Sequence, residues 1–116
     1  EGIPSYVVVA NINSPSQTVI SGELEGITEA ISRAERKNIL TRQLPVSNAF
    51  HSRLMLPSAK VLRDSALIPQ QLVSPSVSLF SSVNGQQLQA RLELRNHFAD
   101  QIVAQVDFIS MVKAMT

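Results

Sequence analysis

The run Tyr-Val-Val-Val-Ala at residues 6–10 is the feature that most constrains this chain, because consecutive β-branched residues favour a pleated, half-buried strand. Pro4 precedes the run, and the polar stretch Asn-Ile-Asn-Ser-Pro-Ser at 11–16 reads as a turn. Residues 17–21 form a second strand-like run, closed by Gly22. We therefore predict an antiparallel hairpin with a long polar turn.

A helix and a further strand are predicted after the hairpin. Apolar residues at helical spacing predict a helix over 23–37, and alternation over 39–44 predicts a strand stopped by Pro45. Strand, strand, helix, strand is the order of the last four elements of a βαββαβ ferredoxin-like unit. In that topology the absent first strand lies between strands three and four, so the strand over 39–44 lacks a neighbour. The chain also lacks an initiating methionine, and we expect it to be part of a longer protein.

The remaining residues alternate between helical and strand-like patterns. The sequence predicts a helix over 54–67, with Pro57 in its first turn, and an isolated strand over 77–83. Asn84-Gly85 is a strong turn signal, and two more helices are predicted over 90–103 and 107–115. We therefore assign the chain to the α/β class, with an α+β small subdomain over residues 1–45 followed by a second part over 46–116.

Charge and composition exclude several classes of function. Ten basic and nine acidic residues give a net charge of +1, which predicts no nucleic-acid partner. The chain has no cysteine, so thiol chemistry and cysteine-based zinc sites are excluded, and we expect no metal site. No apolar run approaches the roughly 20 residues that span a bilayer, so we expect no membrane partner and a cytoplasmic location.

Two histidines are the candidates for chemistry. His97 lies within a helical pattern, which favours a structural role. His51 lies between a strand stopped by proline and the start of a helix, where catalytic groups are often presented. Placement alone slightly favours an ordinary surface histidine.

The segment around His51, Leu-Pro-Val-Ser-Asn-Ala-Phe-His-Ser-Arg-Leu-Met, resembles the histidine segment of malonyl-CoA:acyl-carrier-protein transacylases and of polyketide synthase acyltransferase domains. Residues 7–22, 77–85 and 100–112 resemble further segments of that family in the same order. The resemblance implies that residues 1–45 are part of its ferredoxin-like small subdomain. It implies that residues 46–116 are the C-terminal part of its α/β-hydrolase-like acyltransferase core.

The resemblance also implies catalytic roles. In this family a serine in a Gly-His-Ser-x-Gly elbow attacks the thioester, and His51 matches the histidine that acts as its general base. Gln101 matches the glutamine whose main-chain carbonyl orients that histidine, although an ordinary polar helix residue would explain it equally well. The chain contains no Gly-x-Ser-x-Gly, and the arginine that pairs with the substrate carboxylate is also absent, so we expect these residues alone to be inactive. Arg53 departs from the family, which often has an uncharged residue there.

Four more residues match substrate-binding positions of the family. Asn11 and Asn13 match a turn that lines the acyl-CoA side of the cleft, although plain turn chemistry explains them equally well. Asn48 and Phe50 fall in the motif that sets extender specificity. Phe50 keeps the bulky residue typical of malonyl selectivity, whereas Asn48 replaces the usual histidine.

The function implied is transfer of a malonyl or similar acyl group from coenzyme A to the phosphopantetheine thiol of an acyl carrier protein, in fatty acid or polyketide biosynthesis. The expected partners are acyl-CoA as substrate, the carrier protein and the remainder of the same acyltransferase domain, with no permanently bound cofactor. Two alternatives stay open: a non-catalytic ferredoxin-like interaction module, and an acyl-carrier-protein acyl hydrolase on the same fold. A module would fold alone, with His51 facing its interior.

Overall fold

The computed structural model describes residues 2–71, 73–90 and 92–116, and it combines a small sheet with four helices in that part of the chain. The elements in order are β1 (Val7–Ser14), β2 (Gln17–Gly22), α1 (Leu24–Arg36), α2 (Leu56–Asp64), α3 (Leu94–Val103), β3 (Val106–Asp107) and α4 (Phe108–Met115). A short 3₁₀ turn, Arg53–Met55, runs directly into α2. The predicted α/β class is confirmed.

The predicted hairpin is present, but its turn is much shorter than the sequence suggests. β1 and β2 pair antiparallel from Val7 opposite Gly22 to Ser14 opposite Gln17, with two irregularities in the register. The predicted turn over 11–16 is therefore wrong in its extent. Pairing with β2 carries the asparagines of this stretch into the strand, because ladder contacts override the low intrinsic strand preference of asparagine.

A third strand, β3, pairs parallel to β1 and was not predicted. Asn11 lies opposite Val106, and Ile12 lies opposite Asp107, which gives the sheet order β2-β1-β3. Just before β3, the side-chain amide of Gln105 donates a hydrogen bond to the Val9 carbonyl at 3.0 Å. The sheet therefore contains residues from both predicted parts of the chain, and the division between residues 45 and 46 stays a prediction.

The predicted helix over 23–37 is confirmed as α1, and its close packing on the hairpin depends on a glycine. A Cβ added at Gly26 would lie 2.4 Å from Cγ2 of Val7, so only glycine allows this approach without a shift. Further along α1, Glu29 and Arg33 form an ion pair at 2.7 Å. The hydrogen bond from Arg33 lowers the pKa of the Glu29 carboxyl.

The predicted strand over 39–44 is wrong. These residues are irregular and exposed, and Leu40 is 98% exposed. A strand persists only where a neighbouring strand accepts its hydrogen bonds, and the described residues supply no neighbour to this segment. The alternating pattern gives the segment the right residues for a strand but cannot give it a partner.

The second strand outside the hairpin, predicted over 77–83, is also wrong. It is reduced to a single antiparallel bridge between Phe80 and Gln87, on either side of the predicted Asn84-Gly85 turn. Gly85 has a φ of 68°, and its amide donates to the Ser81 carbonyl at 2.9 Å. The turn signal was therefore right, but one bridge is too little pairing for a strand.

The predicted helices of the second part are present in shortened form. The helix predicted over 54–67 begins as the 3₁₀ turn and ends at Asp64, with Pro57 in the first turn of α2 as expected. The helix predicted over 90–103 begins only at Leu94, where the Glu93 side chain accepts from the Asn96 amide at 2.7 Å and caps α3. α4 matches the last predicted helix within one residue.

The apolar core of the described residues is small. Four apolar residues are buried: Ala10, Met55, Ala59 and Ala99. They lie on β1, in the 3₁₀ turn and on the facing sides of α2 and α3. In the described part of the chain, no helix has the length and apolar character that crossing a bilayer requires.

Asp107 couples the end of the sheet to α4, and this coupling should depend on pH. Its carboxylate accepts from the Ser110 amide at 2.9 Å and from the Ser110 hydroxyl at 2.7 Å, and these hydrogen bonds lower its pKa. A lowered folded-state pKa stabilises the fold above the unfolded value of about 3.9, and this contribution is lost as the pH falls below it.

In the full-length protein, Asp107→Asn keeps a capping side chain but cannot titrate. We expect its melting temperature to fall less than that of the wild type between about pH 5 and pH 3. If the melting temperatures of Asp107→Asn and of the wild type fall equally over that pH range, the stabilising role of the Asp107 carboxylate is contradicted.

Candidate active site

The loop before the 3₁₀ turn presents His51 in an unusual backbone conformation. His51 has a φ of 57°, a left-handed conformation that costs about 1–2 kcal/mol for most residues that carry a Cβ. Its amide donates to the Ile102 carbonyl at 2.9 Å, which ties the loop to the end of α3. The neighbouring Ser52 is 2% exposed, and its hydroxyl donates to the Ala49 carbonyl at 2.5 Å. These bonds offset the unfavourable backbone conformation.

The ring of His51 is held by two main-chain carbonyls. Nδ1 lies 3.0 Å from the Gln101 oxygen and 3.1 Å from the Ala104 oxygen. A carbonyl can only accept a hydrogen bond, so Nδ1 carries the proton and Nε2 of the neutral ring keeps its lone pair. The ring is half-buried, and within the described residues Nε2 has no hydrogen-bond partner. This is the protonation pattern that a general base requires.

The end of α3 supplies these acceptors because helix termini leave carbonyls without an intrahelical partner. α3 ends at Val103, so the carbonyls of its last turn are free to accept from outside the helix. The side chain of Gln101 does not take part, because its amide nitrogen lies 3.3 Å from the Ser82 hydroxyl. The contact predicted between His51 and the Gln101 main chain is present, and the catalytic role of both residues stays a prediction.

The other predicted site residues are distributed between the loop and the hairpin. Asn48 and Phe50 precede His51 in the same exposed loop, and Phe50 is 41% exposed. Asn11 and Asn13 lie in β1 rather than in a turn, and Asn13 donates to the Gln17 side chain at 3.2 Å. Among the described residues, no hydrogen bond links either asparagine side chain to the His51 ring.

Two contacts of this site were missed at the sequence level. The Ala104 carbonyl is a second acceptor for His51, and a main-chain acceptor leaves no mark in the sequence. The phenol oxygen of Tyr6 accepts from the Arg53 amide at 3.2 Å, while the Arg53 guanidinium lies 4.1 Å from the centre of the Tyr6 ring. A serine just before a helical pattern is a recognisable capping signal, and Ser52 does accept from the Leu54 amide at 3.3 Å.

His97 lies on α3, and among the described residues no hydrogen bond joins it to the loop of His51. Its ring centre is 5.9 Å from that of Phe98, and both line an open, largely apolar depression of about 450 Å³. Its role stays the structural one predicted for it.

Comparison with known proteins gives the family. The profile described as the acyl transferase domain matches residues 2–115. A highly reducing polyketide synthase of Leptosphaeria maculans is 32% identical over a stretch that covers 94% of this chain and 4% of the synthase. The malonyl CoA-acyl carrier protein transacylase of Bacillus subtilis is 32% identical over 106 residues, which cover 90% of this chain and 33% of that enzyme.

A solved structure agrees with these relatives. The malonyl CoA-acyl carrier protein transacylase of Clostridium perfringens matches with a TM-score of 0.82 at 29% identity, over 96% of this chain and 35% of that one. The chain belongs to the acyl transferase domain family, of the type found in these transacylases and in polyketide synthases. It spans about a third of the length of the transacylases and a few per cent of the synthase that it matches.

Proposed function

We propose that these residues supply the general base of an acyltransferase that moves a malonyl or similar acyl group from coenzyme A to the phosphopantetheine thiol of an acyl carrier protein. The observation that carries the proposal is the pair of carbonyl contacts at Nδ1 of His51, which leaves Nε2 as a proton acceptor. The half-buried, accessible ring supports this role over that of an interaction module with the histidine in its interior. The setting we propose is cytoplasmic, with acyl-CoA as substrate and no permanently bound cofactor.

The proposed reaction has two half-reactions that use His51 in both directions. In the first, Nε2 takes the proton of a serine hydroxyl, the serine oxygen attacks the thioester carbonyl, and the C–S bond breaks. His51 gives this proton to the departing sulfur, so coenzyme A leaves as its thiol and the ring is neutral again. In the second, Nε2 takes the proton of the phosphopantetheine thiol and the sulfur attacks the acyl-serine carbonyl. The ester C–O bond breaks, and the serine oxygen takes the proton back from Nε2.

The nucleophile of this reaction would be contributed by the rest of the acyltransferase domain. The chain has no Gly-x-Ser-x-Gly elbow, and the transacylases that it matches are about three times its length. In the full-length protein, the direct test is acyl-enzyme formation from radiolabelled malonyl-CoA, followed by addition of phosphopantetheinylated carrier protein. Label that leaves the enzyme for the carrier supports transfer, whereas label released as free malonate indicates hydrolysis.

Main-chain acceptors replace the carboxylate that orients histidine in a Ser-His-Asp triad. The carbonyl dipoles of Gln101 and Ala104 fix the tautomer without placing a full negative charge next to the ring. No carboxylate side chain hydrogen-bonds to the His51 ring within the described residues. The ring is therefore oriented by hydrogen bonds to main-chain carbonyls rather than by an ion pair with a carboxylate.

Phe50 should contribute to the choice of acyl donor, because it immediately precedes His51 and is partly exposed. In the full-length protein, Phe50→Ser should relax discrimination against methylmalonyl-CoA by about ten- to two-hundredfold, since excluding one methyl group is worth roughly 1–3 kcal/mol. The measurement is the ratio of kcat/KM for malonyl-CoA and methylmalonyl-CoA. Val46→Ser, at an exposed position of the same loop outside that motif, is the control for general loosening. An unchanged ratio in Phe50→Ser would show that Phe50 does not contact the α-carbon.

A further inference from the structure

Tyr6 contacts the His51 loop through both its hydroxyl and its ring, across 47 positions of sequence. Tyr6 immediately precedes β1, and Arg53 is the first residue of the 3₁₀ turn that follows His51 and Ser52. The Tyr6 hydroxyl accepts from the Arg53 amide at 3.2 Å. The Arg53 guanidinium lies over the Tyr6 ring at 4.1 Å, within the range of a favourable cation–π contact.

The Tyr6 hydroxyl satisfies a backbone amide that the turn itself cannot satisfy. The first amides of a helical turn have no acceptor within it, so they need acceptors from outside. The Ser52 hydroxyl accepts from the Leu54 amide, and the Tyr6 hydroxyl accepts from the Arg53 amide. Tyr6 therefore acts as a second cap, supplied by the residue that leads into the sheet.

The acceptors of the His51 ring are attached to the same strand. Ala104 is followed by Gln105, whose side chain bonds the Val9 carbonyl, and by β3, which pairs with β1 at Asn11 and Ile12. The loop that carries His51 is attached to the residue before β1 through the contact between Tyr6 and Arg53. Both sides of the contacts at 3.0 and 3.1 Å are therefore positioned relative to β1.

We propose that Tyr6 and Arg53 are positioning residues that set the orientation of the His51 ring. The proposal rests on the proposed function for its kinetic consequence, but its geometric consequence can be measured without any activity. Loss of either contact lets the 3₁₀ turn shift against β1, which lengthens the bonds between Nδ1 and the two carbonyls. A displaced ring then presents Nε2 at the wrong distance from the serine.

The geometric test uses the full-length protein with ¹⁵N-labelled histidine. The Nδ1 proton of His51 should give a signal protected from exchange, assigned by its loss in His51→Asn. Tyr6→Phe keeps the ring but removes the acceptor, and Arg53→Gln removes the cation. Both should broaden or shift the His51 signal while leaving that of His97 in place, and Arg53→Lys should restore it in part. Arg42→Gln, at an exposed arginine with no bonded partner in the described residues, is the matched control and should change neither signal.

The kinetic test separates positioning from stability and from substrate binding. We expect Tyr6→Phe and Arg53→Gln to lower kcat roughly three- to thirtyfold with the KM for acyl-CoA unchanged, because displacement of a catalytic group by about an ångström is enough for such a loss. A His51 signal that is unchanged in both variants would overturn the proposal, even if their melting temperatures fall. A raised KM with unchanged kcat would also overturn it, because Arg53 would then contact the substrate.

Failure of the proposed function can be distinguished from failure of the positioning proposal. If His51→Asn retains full transfer activity, His51 is not the base, yet the geometric test of Tyr6 and Arg53 still gives a definite answer. If His51→Asn is inactive while the Tyr6 and Arg53 variants keep both the His51 signal and kcat, only the positioning proposal is wrong.

Discussion

Replacement of His51 by asparagine is expected to lower kcat/KM for acyl transfer by about two to four orders of magnitude, which is the usual contribution of a positioned general base. Asparagine tolerates the left-handed backbone of this position better than most residues, so the loop should keep its conformation. Its amide can also donate to the carbonyls of Gln101 and Ala104, but it offers no basic nitrogen in place of Nε2. The loss should therefore reflect chemistry rather than folding.

The measurement is the rate of acyl-enzyme formation and of transfer to the carrier protein, each determined separately in the full-length protein. His97→Asn is the matched control, because His97 is the second histidine of the chain and makes no hydrogen bond to the His51 ring among the described residues. Both half-reactions should fall in His51→Asn, since the same nitrogen serves both. A variant that loses only one half-reaction would contradict the two-way role assigned to His51.

Residues 1–116 expressed alone are expected to show no cooperative unfolding transition. The described residues expose 8315 Å², whereas a compact protein of 12.7 kDa exposes roughly 6,200 Å². Their radius of gyration is 16.4 Å, against about 13 Å for a compact domain of this length. Large apolar side chains contribute to this excess, and Leu40, Leu67 and Val73 are each more than 80% exposed.

The small apolar core buries too little surface to offset the free-energy cost of ordering the isolated chain. Ordering each residue costs about 1–2 kcal/mol of backbone entropy, and a complete small domain retains only ~5–15 kcal/mol of net stability. The isolated chain should therefore bind a hydrophobic dye and aggregate or behave as a molten globule, with secondary structure but no sharp melt. Calorimetry and near-ultraviolet circular dichroism give the measurement, with the full-length protein as the control. A soluble monomer with a sharp two-state transition would refute this expectation and would favour the independent interaction module.

The parts of the fold that the sequence predicts correctly are those that depend on local pattern. The helical spacing of α1 and the β-branched run of β1 are local, and both appear nearly where expected. The segments 39–44 and 77–83 have strand-like patterns, yet the described residues give them no continuous partner. β3 is the opposite case, a strand without a strand-like pattern. It has only two residues, too few to show a pattern, and it is a strand because it pairs with β1.

The candidate site follows the same distinction. The histidine segment and the position of Gln101 could be recognised from residues 44–55 and 100–112, and the structure brings the two together. The second acceptor at Ala104 could not be predicted, because every residue carries a carbonyl and only tertiary structure selects one. The contact between Tyr6 and Arg53 joins residues 47 positions apart, and the sequence around either residue does not predict its contact with the other.

The separation of His51 from its carbonyl acceptors also determines when the site can form during synthesis. His51 and Ala104 are 53 positions apart, and Val9 and Gln105 are 96 positions apart. At elongation rates of about 5–20 residues per second, roughly 3–10 s separate the emergence of His51 from that of its second acceptor. During that interval His51 lacks the bonds that offset its left-handed backbone. The contacts of the His51 ring therefore form among the last features of this segment, and a nascent chain released before Ala104 lacks one of the two carbonyl acceptors of that ring.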